Sequence, residues 1–310
     1  MKKIYYWNDE KNFGDLLNIV ILPKLLNCPL RWSPVENANF LCIGSLLGVL
    51  VKKQSIFNLI RRLFTPYFVI GIGSIDGVHD MAREFIPRTN WIAVRGKLTK
   101  KILSEKFKQD MSNCKVGDIG LLTCDYYTAL PAKKEYDFGI ILHHSQSHFI
   151  NQLKNKMNGN GKIVLFIDVA NDVDTVITQI LSCKCILSSS LHGLIVADSF
   201  NIPNKWISLS ESDLLEKQNF KYLDYYSSMD IYDEEPLNLN DVDLTMSFYN
   251  RISDSFLKRS CKIESVKSDL RYCVKNYRVI RSYGVPLLGC IKNIYFCFKY
   301  FVKHSILGQV

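Results

Sequence analysis

The chain has 310 residues, 47% apolar and 22% charged, enough for two domains or one large one and too apolar for a disordered chain. Its net charge of +9 favours anionic small molecules or an anionic surface as partners. It contains no basic stripe interleaved with aromatics and no recognisable module, so nucleic acid is not an expected partner.

The predicted elements begin with a strand over Lys3–Trp7 and a helix over Gly14–Leu26. Asn8, Asp9 and Glu10 fall where a secretory signal would need its apolar core, which places the expected location in the cytoplasm. Strands follow at Phe40–Ile43 (ending at Gly44), Phe68–Ile70 (ending at Gly71) and Trp91–Val94 (ending at Arg95-Gly96). A helix is predicted over Leu98–Phe107, and Lys115-Val116 leads into Gly117-Asp118. Pro131–Tyr136 reads as a boundary loop. Beyond it come a strand at Phe138–Leu142, a turn at Asn158–Gly161, a strand at Ile163–Ile167 and a helix capped by Asp172 that runs to about Ser182. This β/α alternation is that of a doubly wound sheet, repeated in two halves with a cleft between them. The expected division is 1–130, 131–244 and a helical tail, 245–310.

Ile186–Trp206 packs a strand end, three serines, His192, a short helix over Gly193–Phe200 and a stop at Asn201-Ile202-Pro203 into 21 residues. His192 thus falls where a strand hands over to a helix N-terminus, the crevice in which open α/β sheets bind ligands and anions. A histidine there can handle protons or simply satisfy a buried carbonyl. No G-x-S-x-G elbow accompanies Ser188, Ser189 and Ser190, so a serine hydrolase is not supported.

Three other loops follow strands in the same way. In Asn12-Phe13-Gly14-Asp15, Gly14 permits close approach and Asp15 offers a carboxylate, although one of Asn12 and Asp15 is expected to cap the next helix. Gly71-Ile72-Gly73-Ser74 offers backbone N–H groups, but the next glycine is Gly77, so the dinucleotide fingerprint fails and no nicotinamide cofactor is expected. Arg95 presents a fork of donors suited to carboxylate or phosphate, or to a salt bridge across the cleft. His143, His144 and His148 cluster after a strand without the carboxylates or spacing of a metal site, so no metal is expected. The ten cysteines include no C-x-x-C pair, and reduced, mostly buried thiols are expected.

The end of the tail, Gly284–Leu307, is apolar but carries Lys292, Lys299 and Lys303, which argues against a transmembrane helix of about 20 residues. Two readings stand equally: an interfacial helix on an anionic membrane, or a helix packed across the domains with its lysines in solvent.

In order, NFGDLLN (12–18), FLCIGSLL (40–47), VIGIGS (69–74), AVRGKLTKKIL (93–103), VGDIGLL (116–122), YDFGIILHH (136–144), SSSLHGLIVADSFNIPNKW (188–206) and FKYLDYYSS (220–228) resemble the polysaccharide pyruvyl transferase family. The resemblance implies two Rossmann-like domains in a glycosyltransferase-B-like architecture, with the active site between them. It implies transfer of a pyruvyl group from phosphoenolpyruvate to two sugar hydroxyls, as a ketal, during capsule or exopolysaccharide synthesis. No cofactor beyond that donor is implied. The acceptor would be a sugar or lipid-linked oligosaccharide, reached from the cytoplasm and, through the tail, from the inner face of the membrane.

By position, the resemblance makes His192 the acid/base residue, with Asp15 orienting or deprotonating the acceptor. Asn12, Gly14, Gly73, Ser74, Arg95, Lys97, His143, Ser189, Ser190 and Gly193 become substrate contacts. Family members commonly carry arginine immediately before the Leu-His pair, whereas this chain has Ser190. Either Lys97, the helix N-terminus and the serine hydroxyls take its place, or the donor differs; the alternatives are a nucleotide-sugar glycosyltransferase and, on the strength of that departure, a catalytically silent sugar-binding or assembly protein.

Overall fold

Eleven strands form two parallel sheets in the computed structural model, which describes residues 1–51, 56–77, 86–127, 133–157, 163–209 and 216–278. The first sheet contains β1 (Lys2–Tyr5), β2 (Leu30–Trp32), β3 (Phe40–Leu41), β4 (Tyr67–Ile72), β5 (Thr89–Val94) and β6 (Lys115–Val116). The second contains β7 (Tyr136–Ile141), β8 (Val164–Ile167), β9 (Cys183–Ser188), β10 (Asn204–Ser208) and β11 (Leu237–Asn238). The helices between them are α1 (Phe13–Val20), α2 (Leu22–Leu25), α3 (Leu47–Val51), α4 (Ile56–Phe64), α5 (Lys97–Glu105), α6 (Thr123–Tyr126), α7 (Ile150–Met157), α8 (Val173–Leu181), α9 (Leu191–Ser199) and α10 (Glu216–Ser227). A 31-residue helix, α11 (Met246–Asn276), follows.

The sheet orders are β2-β1-β3-β4-β5-β6 and β11-β10-β9-β7-β8. Numbered within its own half, the first sheet runs 2-1-3-4-5-6 and the second 2-1-3-4-5, a doubly wound order that reverses beside its first strand. It differs from the 3-2-1-4-5-6 order of dinucleotide-binding sheets, so the Rossmann-like expectation holds only at the level of parallel, doubly wound sheets. The reversals put β1 beside β3 and β7 beside β9, and the loops leaving β1, β7 and β9 carry Asn12, Gly14, Asp15, His143, Ser189, Ser190, His192 and Gly193, whereas Gly73, Ser74, Arg95 and Lys97 follow β4 and β5.

Local chemistry explains where predicted elements shifted. The expected helix over Gly14–Leu26 is broken at Ile21, because Pro23 has no N–H to donate and its ring crowds the preceding turn. The strand expected to end at Gly71 instead bulges there and runs on to Ile72. Gly71 permits this with φ of +99°, and a Cβ would lie 2.8 Å from the Ile119 amide nitrogen. Asp172 caps α8 as expected, accepting from the Thr175 N–H at 2.8 Å. The turn predicted at Asn158–Gly161 and the apolar segment Gly284–Leu307 lie outside the described residues.

All six residues of β5 are buried, as a central parallel strand covered on both faces requires. The largest apolar cluster is continuous between the halves: Ile70, Ile92 and Ile119 join Ile141, Ile186 and Ile195. Helix α11, about 46 Å long at 1.5 Å per residue, crosses both sheets. Phe248 and Ile252 pack on the second sheet, while Val266 and Leu270 meet Gly117 of the first. Buried Arg259 holds its middle in place by donating to Asp198 at 3.1 Å and to the Asn204 side chain at 2.7 Å. Among the described residues no helix is long and apolar enough to cross a membrane.

Candidate active site

The two reversal points face one another. After β1, Asn12 caps α1 by accepting from the Gly14 N–H at 2.9 Å, so the cap reading holds for Asn12 and its side chain is committed to the helix. Asp15 is left free of that duty. Buried Asn18, one turn further on, bonds both the N–H and the carbonyl of Ile43 at 3.0 Å and so fixes the α1 loop to the end of β3. Gly44 follows with φ of +125°, and a Cβ there would stand 3.5 Å from Asp15 Oδ1.

After β9, Ser188 Oγ donates at 2.8 Å to the Ser190 carbonyl and accepts from the Ser190 N–H at 3.0 Å, forming a tight turn into α9. Ser190 starts the helix without a side-chain cap bond, which leaves first-turn N–H groups for other acceptors. His192 lies in that first turn and projects across the cleft. A Cβ at Gly14 would sit 2.2 Å from His192 Nδ1, so the imidazole rests directly on the glycine. Gly14→Ala must therefore push the ring aside. We predict about a 10²-fold loss of turnover from this displacement, with a much smaller change in urea midpoint than a core truncation produces. Loss of both in proportion would mean that the contact serves packing alone.

Arg95 is fully buried beneath this contact. Its Nε bonds Asp224 of α10 at 3.2 Å, Nη1 bonds Ser45 Oγ at 2.9 Å, and Nη2 donates to the Ser74 carbonyl. Gly73 makes room, since a Cβ there would lie 2.3 Å from the guanidinium carbon. Asp224 also accepts from the Thr99 N–H at 2.8 Å and the Thr99 hydroxyl at 2.6 Å, and Ser227 Oγ takes the Lys97 N–H at 2.8 Å. The N-terminus of α5 is thus filled by the chain's own carboxylate and hydroxyl. A Cβ at Gly96 would come within 1.6 Å of the Asp224 carbonyl oxygen, so α10 lies flush on that turn.

Burial sets the protonation states. The half-buried Asp15 carboxyl is pushed up to about 7. His192 is pushed down to about 3 by burial, by Arg95 and by Lys221, so it is a neutral imidazole at neutral pH. Its Nε2 is buried and has no hydrogen-bond partner among the described residues. His143 is likewise pushed down to about 3, by burial, Lys221 and His144.

The structure therefore sets His192 on Gly14, the residue before Asp15, and groups Gly73 and Ser74 around Arg95, whose charge acts on His192. Ser189 and His143 form a neighbouring group in which the His143 N–H donates to Ser189 Oγ at 3.0 Å. Gly193 faces inward, where a Cβ would lie 2.4 Å from Ser188 Oγ, so its role is close packing of α9 on β9. Lys97 turns away to ion-pair with the exposed Asp230 at 2.5 Å. Among the described residues no group of three His, Cys, Asp or Glu side chains is placed to hold a metal ion. Sequence reasoning missed Ser45, Lys221 and Asp224. The last two lie in FKYLDYYSS, a segment noticed as a block but given no roles.

Residues 3–211 match the model of the family described as polysaccharide pyruvyl transferase. The chain belongs to that family. An uncharacterised protein of Acanthamoeba polyphaga mimivirus is 30% identical over 230 residues, covering 72% of this pyruvyl transferase family member and 73% of the viral protein. Among solved structures, the wall teichoic acid polymerase TagF is similar at a TM-score of 0.47 and 10% identity, over 90% of this chain and 88% of that one. A second TagF structure gives 0.45 and 11%, over 90% and 89%. Membership bears out the resemblance, whose first seven ordered segments lie within the matched residues, and assigns the chain to transferases of polysaccharide modification.

Proposed function

We propose that this family member transfers the pyruvyl group of phosphoenolpyruvate onto two hydroxyls of one sugar, forming a cyclic ketal in a capsule or exopolysaccharide precursor. The observation that carries the proposal is the His192 imidazole resting on Gly14, so that an imidazole pushed down by burial stands against the residue that precedes Asp15, whose carboxyl burial pushes up. Two groups pushed apart in this way divide the labour of acid and base. The sequence-based roles are thereby exchanged: His192 is the base and Asp15 the acid. We read the two doubly wound halves as a glycosyltransferase-B-like pair, with donor and acceptor held between them.

The first sugar hydroxyl loses its proton to His192 as its oxygen attacks C2 of the donor. Asp15 passes its proton to the methylene carbon, and the π pair of the enol becomes the new C–H bond of a methyl group. The tetrahedral carbon then carries the sugar oxygen, the carboxylate and the phosphate. The C–O bond to phosphate breaks with its electron pair leaving on phosphate, the second hydroxyl closes the ketal, and its proton departs with the phosphate. His192 returns its proton to Asp15 through solvent. The uncapped first turn of α9 offers N–H groups to the donor's carboxylate. Donor and acceptor suffice, and no cofactor enters.

Incubating the full chain with phosphoenolpyruvate and candidate glycans, beside nucleotide sugars with the same glycans, tests this reading. It expects acceptor-dependent phosphate release with a ketal product. Release of nucleotide with phosphoenolpyruvate untouched would establish a glycosyltransferase instead, and turnover of neither donor would favour a silent sugar-binding protein.

Asp15→Asn separates function from stability. Between the ordinary 3.8 and the folded value of about 7, the folded state holds a proton that the unfolded chain has lost, so this carboxyl costs stability progressively as pH rises. Discounted for partial exposure, the variant is expected to be more stable than the parent by about 1–2 kcal/mol at pH 8, and equal to it near pH 4. Turnover falls about 10²-fold or more. Urea unfolding at the two pH values, with a phosphate-release assay, checks both parts.

A further inference from the structure

At the carboxyl ends of β7, β9 and β10 lies a cavity of about 300 Å³ whose walls include His143, Ser189, Trp206, Ser208, Lys221 and Tyr222. Trp206 and Tyr222 stack at 4.3 Å, with their planes 13° apart, and form a rigid side. The Tyr222 hydroxyl is anchored on the Ser189 carbonyl at 2.6 Å. Two polar groups of this cavity have unmet bonding capacity. Ser208 is only 4% exposed, and its buried Oγ has no hydrogen-bond partner among the described residues. Lys221 is half-buried, and among the described residues no hydrogen bond or ion pair engages its ammonium, which lies 5.1 Å from the Tyr222 ring centroid. Burial and, after it, the Arg95 guanidinium push it down to about 8, so it is still charged at neutral pH.

An ammonium and a buried hydroxyl that no described residue engages, in a cavity lined by His143 and His148, call for an anion. Arg95 does not supply that anion's counter-charge, because Asp224 already neutralises it. We propose that Lys221 and Ser208 hold the phosphate of the donor substrate in this cavity, and that Lys221 is the residue through which this chain recognises a small phosphorylated acid. The identity of that acid as phosphoenolpyruvate rests on the reaction proposed above, whereas the anion site does not.

Calorimetric titration of the full chain with inorganic phosphate and with phosphoenolpyruvate, for the parent, Lys221→Gln, Lys221→Arg and Ser208→Ala, tests the site. Both ligands should bind the parent. Lys221→Gln should weaken both by about tenfold to a hundredfold and raise KM for the donor with little change in kcat, while Lys221→Arg should restore most of the loss. Circular dichroism confirms that each variant is folded. Undiminished binding of both ligands by folded Lys221→Gln overturns the proposal. Lys221-dependent binding without turnover of phosphoenolpyruvate upholds the anion site and sinks the reaction reading instead.

Discussion

Replacing His192 with Gln is expected to lower turnover by about 10³-fold while leaving the fold intact. The ring sits on Gly14 with a buried Nε2 that no described residue engages, a geometry suited to a proton acceptor and of no evident use to packing. The same substitution has a second readout. From the ordinary 6.5 down to the folded value of about 3, the unfolded chain takes up a proton that the folded site refuses. The histidine therefore costs stability as pH falls below 6.5, by at most about 2 kcal/mol at pH 5 and about half that after allowance for partial exposure. His192→Gln should be less active than the parent at every pH, yet more stable than it at pH 5. A histidine that merely satisfied a buried carbonyl would give the opposite stability change.

The second large effect concerns Arg95 and Asp224, both without solvent exposure at the side chain. Asp224→Ala strands a guanidinium and removes the acceptor of the Thr99 N–H, and a loss of about 3–5 kcal/mol is expected. Arg95→Met with Asp224→Leu should recover most of that stability, because the pair's desolvation largely offsets its attraction. Urea midpoints of the single and double variants measure this. If Asp224→Ala unfolds no more easily than the parent, the pair does not clamp α10 onto the first sheet.

Much of the fold was legible because parallel strands buried on both faces read as apolar runs, and glycines or charged residues mark their ends. The site was legible in part for the same reason: the loops after β1 and β9 carry Gly14, Asp15 and His192 at strand ends. What the sequence concealed is pairing over distance. Arg95 read equally as a ligand-binding residue or a cleft-spanning ion pair, and its partner lies 129 positions away on a helix assigned no role. Lys97 entered the candidate list through the resemblance, but two residues beyond Arg95, at the helix start, its side chain turns to another face and pairs with Asp230. The protonation states were hidden too, since they come from burial that only assembly of the two halves creates. Pro23, by contrast, was a readable helix stop inside an overlong helix.

The most direct test follows the donor's carbon atoms. The parent is incubated in heavy water with phosphoenolpyruvate and a glycan acceptor, and the products are read by nuclear magnetic resonance. One phosphate is expected per ketal formed, with a methyl group carrying a single deuterium, and His192→Gln and Asp15→Asn should each slow its appearance. A donor whose methylene protons stay unchanged while a nucleotide sugar is consumed would contradict it.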